Sequence, residues 1–127
     1  MLTSSQFGVG ATALDGGSAF GNAETVQEYV QDYFSDVPVM IAIAGCESHF
    51  RHVDKNGNII RGEVNPDDIG VMQINEHYHG AKAKSAGIDL YTLQGNLAYA
   101  RLLYEDKGTA PWSASKGCWG DKVLAKR

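Results

Sequence analysis

The sequence predicts an α+β domain, mostly helical with one small β hairpin, on three observations. Apolar residues recur with a helical period in several stretches, one stretch of six is apolar on every side, and an Asn-Gly pair stands between apolar residues midway along the chain. The chain has 127 residues, enough for one domain that buries roughly two thirds of its unfolded surface without help from a metal or partner. The expected division is a flexible leader over residues 1–21, a domain over 22–120 and a polar tail over 121–127.

The leader is Gly, Ser, Ala and Thr with isolated Phe7, Leu14 and Phe20, a composition that favours mobility. Asn22 is placed to cap a first helix, in which Val26, Tyr29, Val30, Tyr33 and Phe34 follow at i, i+3, i+4, i+7 and i+8 and form one apolar stripe. Pro38 suits the first turn of a second helix, and the Val39–Ala44 run VMIAIA marks that helix as buried. Around Asn56-Gly57, flanked by Phe50, Val53, Ile59 and Ile60, the pattern predicts a hairpin across 51–62, with a third strand near Gly70 to Ile74. Helix-compatible residues return from Glu76 to Ala86 and stop at Gly87, a left-handed cap. A further helix starts after Thr92, with Leu93, Leu97, Ala100 and Tyr104 on its core face, Leu103 widening it and Gly108 ending it. A short last segment carries Trp112, Cys118 and Trp119.

Composition narrows the function. Eleven Lys and Arg against fifteen Asp and Glu give a net charge of −4, which leaves no basic footprint for nucleic acid or an anionic surface. No apolar run approaches the ~18 residues of a membrane span. Residues 1–21 lack the charged start, apolar middle and small-residue cleavage site of a secretion signal. Cys46 and Cys118 fit either one bridge or two buried thiols; a bridge would imply an oxidising compartment.

Glu47 is the most unusual placement. An apolar helix delivers a carboxyl group at its C-terminal end, where desolvation and the negative end of the helix dipole both disfavour ionisation, so a raised pKa is expected. A carboxylic acid that keeps its proton near neutral pH is suited to general acid catalysis. The competing reading has Glu47 turned to water or paired with Arg51 four residues on.

The neighbours add context. Cys46-Glu47-Ser48-His49-Phe50, then Asp68-Ile69-Gly70-Val71-Met72-Gln73-Ile74-Asn75, then Asn96 through Trp112 to Cys118, resemble the lysozyme and lytic transglycosylase superfamily in order and spacing over roughly residues 37–119. The E-S-x-F and G-x-M-Q-I elements look like the first two motifs of the transglycosylase SLT domain. The D-x-G-x-x-Q-I-N stretch, and a helix with Asn followed by Trp and then Cys, look equally like animal-type lysozymes. The chain departs from both. Where the third SLT motif has A-Y-N-x-G it reads Gly108 to Trp112, so Tyr99 is expected to pack, and the four disulfides and basic surface of the animal enzymes are missing.

The resemblance implies a lysozyme-like fold with the hairpin beside an active-site cleft, and cleavage of the β-1,4 bond between N-acetylmuramic acid and N-acetylglucosamine in peptidoglycan. It makes Glu47 the proton donor to the leaving oxygen. It places Gln73 and Asn75 along the sugar cleft, Tyr78 and His79 as aromatic sugar platforms, Trp112 against the catalytic acid, and Ser48 on the carboxyl or the local backbone. Asp68, five positions before Gln73, falls where the animal-type lysozymes carry a second carboxylate. Two carboxylates roughly 5 Å apart support a retaining mechanism with Asp68 as nucleophile or stabiliser. With Glu47 alone, the sugar's own 6-hydroxyl is deprotonated and a 1,6-anhydro product forms. Hydrolysis is favoured on Asp68 and Trp112; the transglycosylase is the alternative, and a non-catalytic glycan-binding module a more distant one. The partners expected are peptidoglycan strands, with no nucleic acid, no membrane span and a monomeric state. The location expected is extracytoplasmic or secreted, with any export signal absent from this chain.

Two metal readings do not fit the spacing. His49-x-x-His52 and His77-x-His79 occur without H-E-x-x-H, and Asp54, Asn56 and Asn58 imitate an EF-hand start with the glycine misplaced at 57. No metal and no cofactor is expected.

Overall fold

The structure is a computed structural model that describes residues 23–125; the expected leader over 1–21 and the cap at Asn22 lie outside the described residues. Helix α1 spans Ala23–Tyr33. Val26 and Val30 on the helix and Phe34 in the turn directly after it bury completely, with Tyr29 and Tyr33 half-buried beside them, as the stripe requires. Helix α2, Pro38–Ser48, begins with proline in its first turn, where a missing N–H costs nothing, and buries Met40, Ile43 and Ala44. It stops abruptly because His49 (φ 56°) and Phe50 (φ 59°) are both left-handed. The His49 N–H closes on the Gly45 carbonyl, and the Phe50 ring folds back over Gly45, where an added Cβ would meet it at 3.0 Å.

The expected hairpin over 51–62 closes around Asn56-Gly57 but does not extend into a regular ladder. Residues 53 and 59 form an isolated antiparallel bridge, flanked by the Asp54 N–H donating to the Asn58 carbonyl at 2.7 Å and the Ile60 N–H donating to the His52 carbonyl at 2.9 Å. Asp54 Oδ1 accepts the N–H groups of Asn56 and Asn58 at 2.8 and 3.0 Å and tightens the turn. The arms that leave it then find other partners: the Gly62 N–H donates to the Asp68 carbonyl, the Gly70 N–H donates to the Ile60 carbonyl, and Arg61 bridges to Ile69. The two-stranded antiparallel sheet is instead β1, Asp68–Ile69, paired with β2, Ile74–Asn75, in the register Asp68 to Asn75 and Ile69 to Ile74. Gly70 to Gln73, expected to belong to a strand, form the connecting turn, with Gly70 and Gln73 at φ 78° and 54°.

That turn is buried, which is why it reads as a strand: Val71 and Met72 have no solvent exposure. Its donors are satisfied from a distance. The Val71 N–H donates to His52 Nδ1 at 3.1 Å, which leaves Nε2 as the protonated ring nitrogen facing the Tyr91 carbonyl at 2.8 Å. Burial lowers the His52 pKa, in keeping with a neutral ring.

Helix α3, Glu76–Ser85, is capped by Asn75, whose side chain accepts the Tyr78 N–H at 2.9 Å. Gly87 follows at φ 75°. Helix α4, Leu93–Lys107, is capped by Thr92 Oγ1, which accepts the Gly95 N–H, and buries Asn96, Leu97 and Ala100 completely. A 3-10 helix η1, Ala110–Ser115, leads into α5, Lys116–Ala125, so part of the expected polar tail is helical. Cys46 and Cys118 form a disulfide that ties α5 to α2 across 72 positions. The result is a mostly helical α+β domain. Among the described residues, no helix is long and apolar enough to cross a membrane, and no group of three or more His, Cys, Asp or Glu is placed to hold a metal ion.

Candidate active site

Helix α2 carries Glu47 in its last turn, directly after the disulfide-bonded Cys46. The side chain is half-buried and opens on a cleft of two arms that share Glu47, Asp68, Gln73 and Ala114. The narrower arm, about 150 Å³, is completed by Asn75, His79, Leu103, Pro111 and Trp112 among others. The wider, about 480 Å³, runs past His49, Arg51, Arg61, Glu63 and Ser115. A separate depression of about 450 Å³ between α3 and residues 87–91 contains neither Glu47 nor Asp68, and its Glu76 and Tyr91 are already engaged by Arg61.

Electrostatics at the cleft favour a retained proton. Burial raises the Glu47 pKa above the ordinary value of 4.5; a hydrogen bond from Ser115 works against that rise, and the nearby Asp68 charge adds to it. The competing pairing of Glu47 with Arg51 does not form: Arg51 Nε donates to the Ser48 carbonyl, and the partner of Glu47 Oε2 is Ser115 Oγ at 2.6 Å. Asp68 sits on β1 opposite Asn75, so the sheet register sets its place. Its pKa is also raised, by burial first, with an Asn75 hydrogen bond opposing and Asp67 adding to the rise. Two neighbouring carboxyl groups thus both hold protons more firmly than in water.

Of the residues singled out in the sequence, Glu47, Asp68, Gln73, Asn75, His79 and Trp112 come together at this cleft. Gln73 is held in its left-handed conformation by an Nε2 bond to the Gly70 carbonyl at 3.0 Å. Trp112, 3% exposed, donates its Nε1–H to the Met72 carbonyl at 2.9 Å and so joins η1 to the buried turn. His79 Nδ1 meets the Tyr99 hydroxyl at 3.0 Å, which gives the buried Tyr99 a polar contact beneath the cleft.

Two residues are not brought to it. Tyr78 is 73% exposed, stands edge-on to His79 and lines neither arm. Ser48 is buried, donates to the Ala44 carbonyl at 3.1 Å and accepts the Arg51 N–H. It therefore serves the local backbone, and the Glu47 carboxyl takes its hydroxyl partner from elsewhere.

Sequence reasoning missed that partner. Ser115 comes from 68 positions away, and its one signal is spacing: a hydroxyl three residues after Trp112 and four before Trp119, on the helical side facing both. His49, Arg51 and Arg61 in the wider arm were likewise not foreseen. Comparisons with protein-family models, with curated proteins and with solved structures find no match to this chain.

Proposed function

We propose that the protein is a lysozyme-like glycosidase that cleaves the β-1,4 linkage between N-acetylmuramic acid and N-acetylglucosamine in peptidoglycan. One observation carries the reading: a half-buried glutamate with a raised pKa shares an open, polar cleft with a second carboxyl group. The motif order around Glu47, Asp68 to Asn75 and Trp112 supports the choice of substrate.

In this reading protonated Glu47 gives its proton to the glycosidic oxygen as the C–O bond breaks. Asp68, ionised, attacks or stabilises the oxocarbenium-like carbon on the opposite face. Glu47, now a carboxylate, takes a proton from water as that water attacks the same carbon and releases Asp68 as a carboxylate, which regenerates the acid and leaves a reducing sugar. Gln73 and Asn75 supply amide donors and acceptors for the N-acetyl and hydroxyl groups, and the exposed Pro111, backed by the buried Trp112, an apolar surface for a sugar face. Because both arms of the cleft contain Asp68, the two-carboxylate route is preferred over the single-acid route to 1,6-anhydro ends. A monomer acting outside the cytoplasm is the setting that goes with this substrate.

Mass analysis of digested peptidoglycan tests the proposal. Reducing ends are expected; products lighter by one water would replace the hydrolase by a transglycosylase, and absence of released fragments would leave a glycan-binding module. Glu47→Gln is expected to abolish release in a folded protein. Asp68→Asn is expected to lose a comparable share of turnover, and a mild effect would remove Asp68 from the chemistry.

A further inference from the structure

Ser115 Oγ stands where three polar groups converge: Glu47 Oε2 at 2.6 Å, the Trp112 carbonyl at 3.1 Å and Trp119 Nε1 at 3.0 Å. A hydroxyl has one hydrogen to give and two lone pairs to fill. The Trp119 N–H can only donate, so it takes one lone pair. One hydrogen and one lone pair then remain for two groups, a carboxyl that changes its protonation and a carbonyl that can only accept.

The count closes in both states of Glu47. With Glu47 ionised, the Ser115 O–H donates to Oε2. With Glu47 protonated, the carboxyl O–H donates into the free lone pair of Oγ and the Ser115 hydrogen rotates to the Trp112 carbonyl. No heavy atom has to move, because both acceptors already lie within hydrogen-bond distance. The Trp119 N–H also reaches the Trp112 carbonyl, at 3.3 Å, so that carbonyl keeps a donor while the serine points the other way.

We infer that Ser115 is a positioning residue for Glu47, a swivelling hydroxyl that serves the carboxyl group both with and without its proton and is itself held by the Trp119 N–H. The inference deepens the glycosidase reading, in which Glu47 must act as acid and then as base, and in its functional meaning it rests on that reading. The fold anchors the device at both ends. Cys46 precedes Glu47 and Cys118 precedes Trp119, so the disulfide pins α2 to α5 one residue away from each terminus of the Trp119, Ser115, Glu47 chain.

Other charges bear on Glu47. Asp68 from β1 and His79 from α3 face the narrower arm, and His49, Arg51, Arg61 and Glu63 face the wider. On α5, Lys122 Nζ lies 3.8 Å from Cys46 Sγ. None of these is changed by substituting Ser115, so a shift seen on substitution reports the hydroxyl.

The test is a carbon-detected NMR titration of the Glu47 carboxyl in the full chain. Bonds to an ionised carboxylate are stronger than those to the neutral group, so Ser115→Ala is expected to move the Glu47 midpoint upward by about one pH unit, a tenfold gain in proton affinity. Ser115→Thr, which keeps the hydroxyl, is expected to return it to the wild-type position. A folded Ser115→Ala protein with an unchanged Glu47 midpoint, or a Ser115→Thr protein that titrates like the alanine variant, would overturn the inference. No substrate enters this measurement, so a wild-type protein that fails to cleave peptidoglycan defeats the glycosidase reading and leaves the titration result standing. If cleavage is seen, the alkaline limb of its pH profile is expected to shift in Ser115→Ala by the same amount as the titration.

Discussion

Asn96, on α4, accepts the backbone N–H of Met72 on its side-chain Oδ1 at 2.9 Å. Its Nδ2 donates to the carbonyls of Ile69 and Leu90 at 3.1 and 3.0 Å, so one fully buried amide satisfies three backbone groups on two segments. This ties the turn between Asp68 and Asn75 to the longest helix, and with it the sheet that positions the second carboxyl group.

Asn96→Ala is therefore expected to be among the costliest single substitutions. It strands a buried N–H and leaves two buried carbonyls a donor short, at a penalty of about 2–4 kcal/mol, with a melting temperature lower by roughly 10–20 °C. Urea unfolding monitored by circular dichroism measures it; a loss under about 0.5 kcal/mol would mean that the turn does not depend on this side chain.

Gly70→Ala is expected to damage the same junction by a different route. At φ 78° an L-residue is strained, and the added Cβ would collide with the Asn96 side-chain amide and approach His52 Cε1 to 2.8 Å. The prediction is a loss of about 2 kcal/mol or more together with broadened resonances for Asn96 and His52. An alanine variant as stable as wild type would contradict the packing at this turn.

The pH dependence of stability follows from Glu47. Its folded pKa is raised above 4.5, so between 4.5 and the folded value the native state holds more protons than the unfolded chain, and stability falls as pH rises through that window. Below 4.5 the contribution is fully present. Unfolding free energies of wild type and Glu47→Gln, compared from pH 4 to pH 8, are expected to show wild type losing ground to the variant as pH increases; parallel curves would place Glu47 in water.

Cleaving the bridge between Cys46 and Cys118 frees a loop of 72 positions, which the chain-entropy treatment values at about 4 kcal/mol. The Cys46→Ser, Cys118→Ser double variant is expected to unfold at markedly lower denaturant concentration. It is also expected to shift the Glu47 titration, because α5 then loses the covalent tie that sets Ser115 and Trp119 beside the carboxyl. A titration unchanged by the double substitution would show that packing of α5 alone holds them.

Local signals account for what the sequence made legible. The stripe from Val26 to Phe34, Pro38 at the head of α2, and the Thr92 and Gly108 bounds of α4 each encode their element within a few residues, and each is seen. The raised pKa of Glu47 was readable for the same reason, since an apolar helix carries it at its end. The hairpin turn was legible, but the pairing of its second arm with 68–70 was not, because that pairing depends on distant groups. His52 and Asn96 supply partners for the 70–73 turn from 19 and 24 positions away, and no local pattern reports that. Ser115 was missed on the same grounds: a serine becomes the partner of a glutamate only after two helices have been brought together.

His52 sets a limit that Glu47 does not. Burial disfavours a charged ring and holds its pKa below the ordinary 6.5, and a second proton would also displace the Val71 amide from Nδ1. Stability from this source is whole above 6.5 and drains away as acidity increases, opposite in slope to the contribution of the carboxyl. Acidification that keeps the cleft charged with its proton thus loosens the joint on which one wall of the cleft hangs. The molecule carries an acid boundary at His52 and an opposite, alkaline one at Glu47, two side chains on different segments.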